Sequence, residues 1–261
     1  MRLYWEVARI GFKRYATYRG ATFAGVFTNT VFGFMLAFVS LGLFGTRARV
    51  AGYDATDAVT YVWITQGLLS TVHIGAWVEI AQRVRTGDVA TDFHRPFDFQ
   101  GYWLAQDLGR AAYHAIFRGI PPIAIAALVF RLRLPSHPMS WLLFGLSVLL
   151  AVCISFSVRF LANMTAFWIA DSRGVVAIVA FTVPFLAGFF GIPLTFLPPG
   201  VFAVLRALPF AGMGQAPLTI FLEKPDVLLT LALQVAWALA LLALGRLVLR
   251  AAHRRLVVQG G

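Results

Sequence analysis

Polar side chains are scarce in this sequence, so their positions limit the chemistry open to it. Five of its 11 acidic residues, Glu79, Asp88, Asp92, Asp98 and Asp107, share one stretch from Glu79 to Arg110. A second polar set lies inside an apolar run, with Trp63, Gln66, Ser70, His73 and Trp77 at helical spacing. A third places Asp107, Arg110, His114 and Arg118 on one helical face, and a fourth is the row Ser155, Arg159 and Asn163. These groups can exchange hydrogen bonds and hold charge in an apolar medium. They do not form a bond-breaking constellation. His73 has no close second ligand, and the single Cys153 excludes an intrachain disulfide and a cysteine-based metal site, so no metal centre is expected. No His-Glu metal motif, Ser-centred Gly motif or carboxylate pair falls within an apolar run. A P-loop needs a Gly-rich turn followed by Lys, and neither Lys13 nor Lys224 follows one. The chain itself is not expected to be an enzyme.

Composition says what must position these residues. The 261 residues are 59% hydrophobic and 13% charged, against about 25% charged in a soluble domain. With apolar runs of about 20 residues, this implies an all-α chain that crosses a membrane several times. Six spans are expected, at about 21–44, 58–79, 108–130, 139–161, 174–192 and 227–249. Arg2, Glu6, Arg9, Lys13, Arg14 and Arg19 rule out a cleavable signal. Residues 1–19 read instead as an amphipathic helix at the membrane interface, with Leu3, Val7, Ile10 and Tyr15 as its apolar side. The net charge of +11 does not point to nucleic acid, because the cations flank the spans and form no single patch. Lys and Arg number 14 on the side of the termini and 6 on the other, with Arg110 and Arg118 in or beside span three. By the positive-inside rule both termini and the 79–110 stretch lie in the cytoplasm, the chain sitting in the cytoplasmic membrane.

The spans carry their own signals. Ala21, Gly25, Asn29, Gly33 and Ala37 form an i+4 row of small residues in span one, which predicts a close helical neighbour and a hydrogen bond from Asn29. The stripe in span two is either the wall of a wet cavity or a set of buried groups bonding to neighbouring helices. Asp107 and Arg110 are placed near the interface, where they can snorkel. Arg118 lies deeper, before Pro121 and Pro122, and is read either as donor to a carbonyl these prolines free or as part of a transport path. Pro184, Gly188 and Gly191 predict a kinked span five. The apolar stretch after it is broken by Pro193, Pro198, Pro199, Pro209, Pro217 and Pro225. It reads as short re-entrant helices over 193–217 that form an outer gate, with Phe210 next to Pro209.

Between spans two and three, Gly87 allows a turn and Asp88 is a plausible N-cap. Val89, Phe93 and Phe97 fall at i, i+4 and i+8, and Pro96 ends the element. An apolar row of this kind in a polar loop needs cover, from the membrane surface or from another protein.

Two patterns carry a family likeness. One runs Arg85-x-Gly87-Asp88-Val89-Ala90-x-Asp92-Phe93-x-Arg95-Pro96, then Asp98-Phe99-Gln100 and Leu104-Ala105-x-Asp107-Leu108-Gly109-Arg110. The other runs Pro193-Leu194-Thr195-Phe196-x-Pro198 through Leu208-Pro209-Phe210 to Pro217. Over nearly its whole length the chain resembles membrane subunits (permeases) of ABC exporters of the ABC-2 class, in the branch that includes viologen and multidrug exporters. The resemblance implies that 85–100 is a coupling helix docking on a separate ATP-binding subunit. Val89, Phe93 and Phe97 would be covered by that partner, and Asp88, Asp92 and Arg95 would make charged contacts. ATP and Mg would be bound by the partner and no cofactor by this chain. Two ATP-binding subunits and a second permease, identical or related, are implied. Where the family favours an aliphatic pair before Arg-Pro, this chain has Phe93-His94. Asn29, Trp63, Gln66, Ser70, His73 and Arg118 are then candidates for the path of a small amphipathic or cationic substrate. The competing class is an ion-coupled secondary transporter, which calls for carboxylates at the membrane midplane. The sequence places its acids elsewhere.

Overall fold

A computed structural model describes residues 2–45, 47–73, 75–169 and 171–259, with the side chains of His73 and residues 256–259 outside that description. The described residues are helical and contain no β-strand, only an isolated bridge between Val50 and Tyr53. The helices are α1 (Arg2–Ala16), α2 (Arg19–Phe44), α3 (Ala55–Leu68), α4 (Glu79–Thr86), α5 (Val89–Phe93) and α6 (Phe99–His114). They continue as α7 (Ile120–Val129), α8 (Pro138–Met164), α9 (Arg173–Ala187), α10 (Pro199–Ala207), α11 (Gln215–Phe221) and α12 (Val227–Gln259).

Four continuous helical stretches are long and apolar enough to cross a membrane: Arg19–Phe44, Phe99–Val129, Pro138–Phe167 and Val227–Arg255. The other two expected spans are shorter than the sequence suggests. α3 runs on as a π-helical turn, Leu69–His73, and residues 75–78, expected within the span, are not helical. α9 ends at Ala187 because Gly188 turns left-handed (φ 80°) and its N–H closes on Phe185. At 15 residues it is about 22 Å long, short of the roughly 30 Å hydrocarbon layer.

A second π turn, Ala115–Gly119, joins α6 to α7 just before Pro121 and Pro122. It faces the first: a methyl group on Gly67 would lie 3.1 Å from the Gly119 carbonyl, and one on Gly119 would lie 2.8 Å from that of Gly67. Glycine at both positions is what lets the two backbones meet.

α1 packs on α6 by the same device. Gly11 lies against the Gln106 carbonyl and Gly109 against that of Ala8, and a methyl group at either would overlap backbone. The buried row of α1 is therefore Val7 and Gly11, while Leu3 and Ile10 of the expected apolar side are exposed. In span one, Gly25, Asn29, Gly33 and Ala37 are buried as a row, though Ala21 is not.

The core has three parts. One gathers Tyr61, Ile154, Met213, Leu218 and Phe221 from α3, α8, α11 and the turn before it. A second, at the end of the bundle that carries α4 and α5, gathers Ile80, Val89, Phe99, Phe156, Phe160 and Ala252. The third is the seam of α2, α3 and α7, with Ala37, Val62, Trp63 and Ala126.

Candidate functional site

Three places bring together polar groups that bear on function: the α4–α5 segment, a buried charge cluster beneath it, and the proline-rich segment at the far end.

Val78 leads into α4, and Gly87 ends it in the left-handed conformation (φ 82°). Asp88 does not cap α5; its carboxylate accepts from the Thr86 hydroxyl at 2.6 Å. α5 is only one turn and stops at Phe93, ahead of Pro96. Asp98 caps α6 by accepting the Gly101 N–H at 2.6 Å.

The apolar row points inward, which corrects the expectation that a partner covers it. Val89 is fully buried. Phe93 stacks on His253 of α12, with centroids 3.7 Å apart, and on Phe167 at 5.9 Å. Phe97 stacks on Tyr102 of α6 at 4.9 Å. Asp92 is also internal, buried in a two-point pair with Arg83 at 2.5 and 2.9 Å. The hydrogen bond to Asp92 pushes the Arg83 guanidinium above its ordinary value. The periodicity identified the row; a sequence cannot say that the end of α12 folds back to meet it. What the segment presents outward is polar: Arg85, Thr86, Gly87, Asp88, Thr91, His94, Arg95 and Pro96 are exposed. Arg14 of α1 pairs with Glu79 of α4 at 3.0 Å, tying the N-terminal helix to the same segment.

Beneath it, Asp107 accepts from Arg110 Nε at 2.7 Å and from Arg159 Nη2 at 2.8 Å. All three side chains are buried, so Asp107 and Arg110 do not snorkel as expected. The Arg110 guanidinium also donates to the carbonyls of Ser70 (2.6 Å) and Thr71 (3.0 Å) in the first π turn, where a helix end leaves carbonyls without intrahelical donors. Asn163, from the row noted in the sequence, accepts the Ala81 N–H of α4 at 2.9 Å and donates to the Trp77 carbonyl at 2.6 Å. An unbroken set of contacts thus runs from α4 through α8 and α6 to α3.

The stripe on α3 faces a helix, not a cavity. Trp63 and Gln66 are buried in the seam with α2, where Asn29 donates to the Gln66 carbonyl at 3.1 Å and Trp63 lies against Gly33. Ser70 contributes its carbonyl to Arg110. The side chain of His73 lies outside the described residues. Arg118 lies against Gly25 of α2, and its Nε makes no hydrogen bond to a proline-freed carbonyl. The cleft that α3 does line takes its opposite face, Ile64, Gly67, Leu68 and Thr71.

At the far end, α10 begins at Pro199 and has no buried residue. It is held by Arg206 to Asp226 (3.0 Å) and by Trp237 Nε1 to the Ala207 carbonyl (3.0 Å). Pro193 and Pro209 are buried, Pro198 and Pro199 exposed, and Phe210 half-buried. Sequence reasoning missed Gln215, which is the hub here. Its Oε1 accepts from Tyr61 Oη and the Leu194 N–H, and its Nε2 donates to Tyr53 Oη and Thr219 Oγ1. A single amide in an apolar run, with its partners far off in sequence, gave no signal. α10, α11 and α12 enclose a cavity of about 270 Å³.

The sequence model of a family described as ABC-2 family transporter protein matches residues 26–260. The chain belongs to this family. As an ABC-2 permease it is a multi-pass membrane protein, the membrane subunit of an ABC transporter, of a kind that is generally non-catalytic and works with an ATP-binding partner. No curated protein matches it. The match covers every helix of the permease except α1 and the start of α2.

Proposed function

We propose that this permease is half the membrane part of an exporter that moves an amphipathic or cationic small molecule out across the cytoplasmic membrane. In this scheme it has six spans, with α3 and α9 completing the four long ones, and both termini are cytoplasmic. The excess of Arg and Lys on the terminal side supports that orientation. Two ATP-binding subunits and a second permease complete the assembly, the path lying between the two permeases. Asn29, Trp63, Gln66, Ser70, His73 and Arg118 would reach the cargo only after α2 and α3 part, and the outer segment around Pro193, Pro198, Pro199, Pro209 and Phe210 would gate its exit. ATP and Mg belong to the partner.

The observation that carries this proposal is the build of the α4–α5 segment. Its outer face is polar and unclaimed, and its inner face is tied to α1, α6, α8 and α12. A push on Arg85, Asp88, His94 or Arg95 therefore reaches four helices. The segment is the coupling element, and it docks through this polar face.

Secondary transport is less well supported. A carboxylate that loads and unloads an ion has to be left without a fixed counter-ion in one state, whereas Asp107 carries two arginines and Asp57 pairs with Arg133 and Lys224.

The test is co-purification with a cognate ATP-binding subunit, comparing wild type with an Arg85→Glu, Arg95→Glu double variant. Loss of the motor from a variant that stays monodisperse supports docking here. Equal retention would refute it, and failure of any ATPase to bind wild type would bring the secondary transporter forward.

A further inference from the structure

We infer that the cleft between α7 and α8 binds an anionic phospholipid, an acyl chain between the helices and the headgroup on Arg131. The cleft has a volume of about 860 Å³, with α3 as its floor. Its origin lies in the sequence. The Gly67–Gly119 contact draws the start of α7 onto α3, while α8 packs on α11 and α12. Ala124 and Ala127 of α7 are too small to reach Trp141 and Phe144 of α8, and the space between stays open.

The walls are almost wholly apolar. Water inside would lack the two to four polar partners it needs, so a hydrocarbon chain is the fitting occupant. The dimensions agree. α7 has ten residues and is about 15 Å long, half of a roughly 30 Å hydrocarbon layer and so the depth of one leaflet. Leu128 and Leu142, on the same two helices, are 87% and 69% exposed and continue the apolar surface towards lipid.

The charge is supplied by Arg131, which lines the cleft just past the end of α7. The other charged groups nearby are engaged. Arg133 pairs with Asp54 and Asp57, and Glu223 accepts from Ser136, His137 and Ser140. Arg131 is exposed, and among the described residues it makes no hydrogen bond or ion pair. A guanidinium at the mouth of an apolar slot matches a phosphate above an acyl chain. Only membrane insertion is required for this, not a particular cargo or direction.

The test is lipid titration of the full chain in detergent, read by native mass spectrometry, with phosphatidylglycerol and phosphatidylcholine of identical acyl chains. Both lipids carry the phosphate, but the choline cation of phosphatidylcholine is repelled by Arg131, so wild type is expected to hold phosphatidylglycerol about tenfold more tightly. Arg131→Gln should bring the two lipids level, Ala127→Trp should fill the cleft and lose both, and Arg49→Gln, at an exposed arginine outside the cleft lining, should behave as wild type. Equal binding of the two lipids to wild type would overturn the assignment. So would phosphatidylglycerol binding left unchanged by Arg131→Gln, which alters only an exposed side chain.

Discussion

Phe93 and His253 lie face to face, their ring centroids 3.7 Å apart and their planes 23° from parallel. The α4–α5 segment is thereby closed onto the far end of α12. Truncating the half-buried ring in Phe93→Ala should cost about 2 kcal/mol, less than the 3–5 kcal/mol of a fully buried phenylalanine. Thermal unfolding in detergent should show the loss, and limited proteolysis should show faster cleavage between residues 86 and 98. An unchanged cleavage rate would mean the stack does not hold the segment.

Among the described residues, Asp107 is the only counter-ion of Arg110 and Arg159. Asp107→Asn leaves two buried guanidinium groups without their carboxylate, a loss of about 3–5 kcal/mol. Asp107→Asn combined with Arg159→Met should be less damaging than the two single changes summed, because it removes one of the stranded charges. Additive losses in a double-mutant cycle would show that the pair does not interact.

Gly109 and Gly145 make a matched contrast. A methyl group on Gly109 would meet the Ala8 carbonyl, whereas one on Gly145 meets nothing within 4 Å. Gly109→Ala should separate α1 from α6 at about 1–3 kcal/mol and speed hydrogen exchange over residues 2–16. Gly145→Ala, in the middle of α8, should be neutral or stabilise by up to about 1 kcal/mol.

Glu223 holds four donors at the start of α8: the Ser136 and His137 N–H groups and the Ser136 and Ser140 hydroxyls. The hydroxyls of Ser136 and Ser140, and then the backbone N–H groups, push its carboxyl down from 4.5 to about 2. Because the folded value is depressed, its contribution is fully present above about pH 4.5 and is lost as pH falls towards 2. Melting temperature followed over that range should fall less steeply in Glu223→Gln than in wild type. Parallel curves would show that the clasp does not contribute.

Much of the architecture could be read from periodicity, and the exceptions have physical causes. The row Ala21, Gly25, Asn29, Gly33 and Ala37 predicted a close neighbour for α2, and from Gly25 onward α3 and the turn at Arg118 are that neighbour. Pro199 started α10 because its missing N–H costs nothing at a first helical position. In contrast, the spacing of Val89, Phe93 and Phe97 defines an apolar side but not its direction, and His253 decides that from the other end of the chain. The same holds for Trp63 and Gln66, whose stripe is equally compatible with a cavity or a helix seam. The carbonyls of the first π turn meet Arg110, about 40 residues away in sequence, a partner that spacing does not reveal.

α12 has one more consequence. Its 33 residues make a rod about 50 Å long, some 20 Å more than a bilayer's hydrocarbon layer requires. Trp237, which holds α10, and His253, which holds Phe93, are 16 residues apart on it, about 24 Å. A stiff rod gripped at two such points carries motion from one to the other. A tilt of about 10° about the His253 stack would move Trp237 by about 4 Å, so a nudge at the α5 ring stack and a shift of α10 can be the same motion.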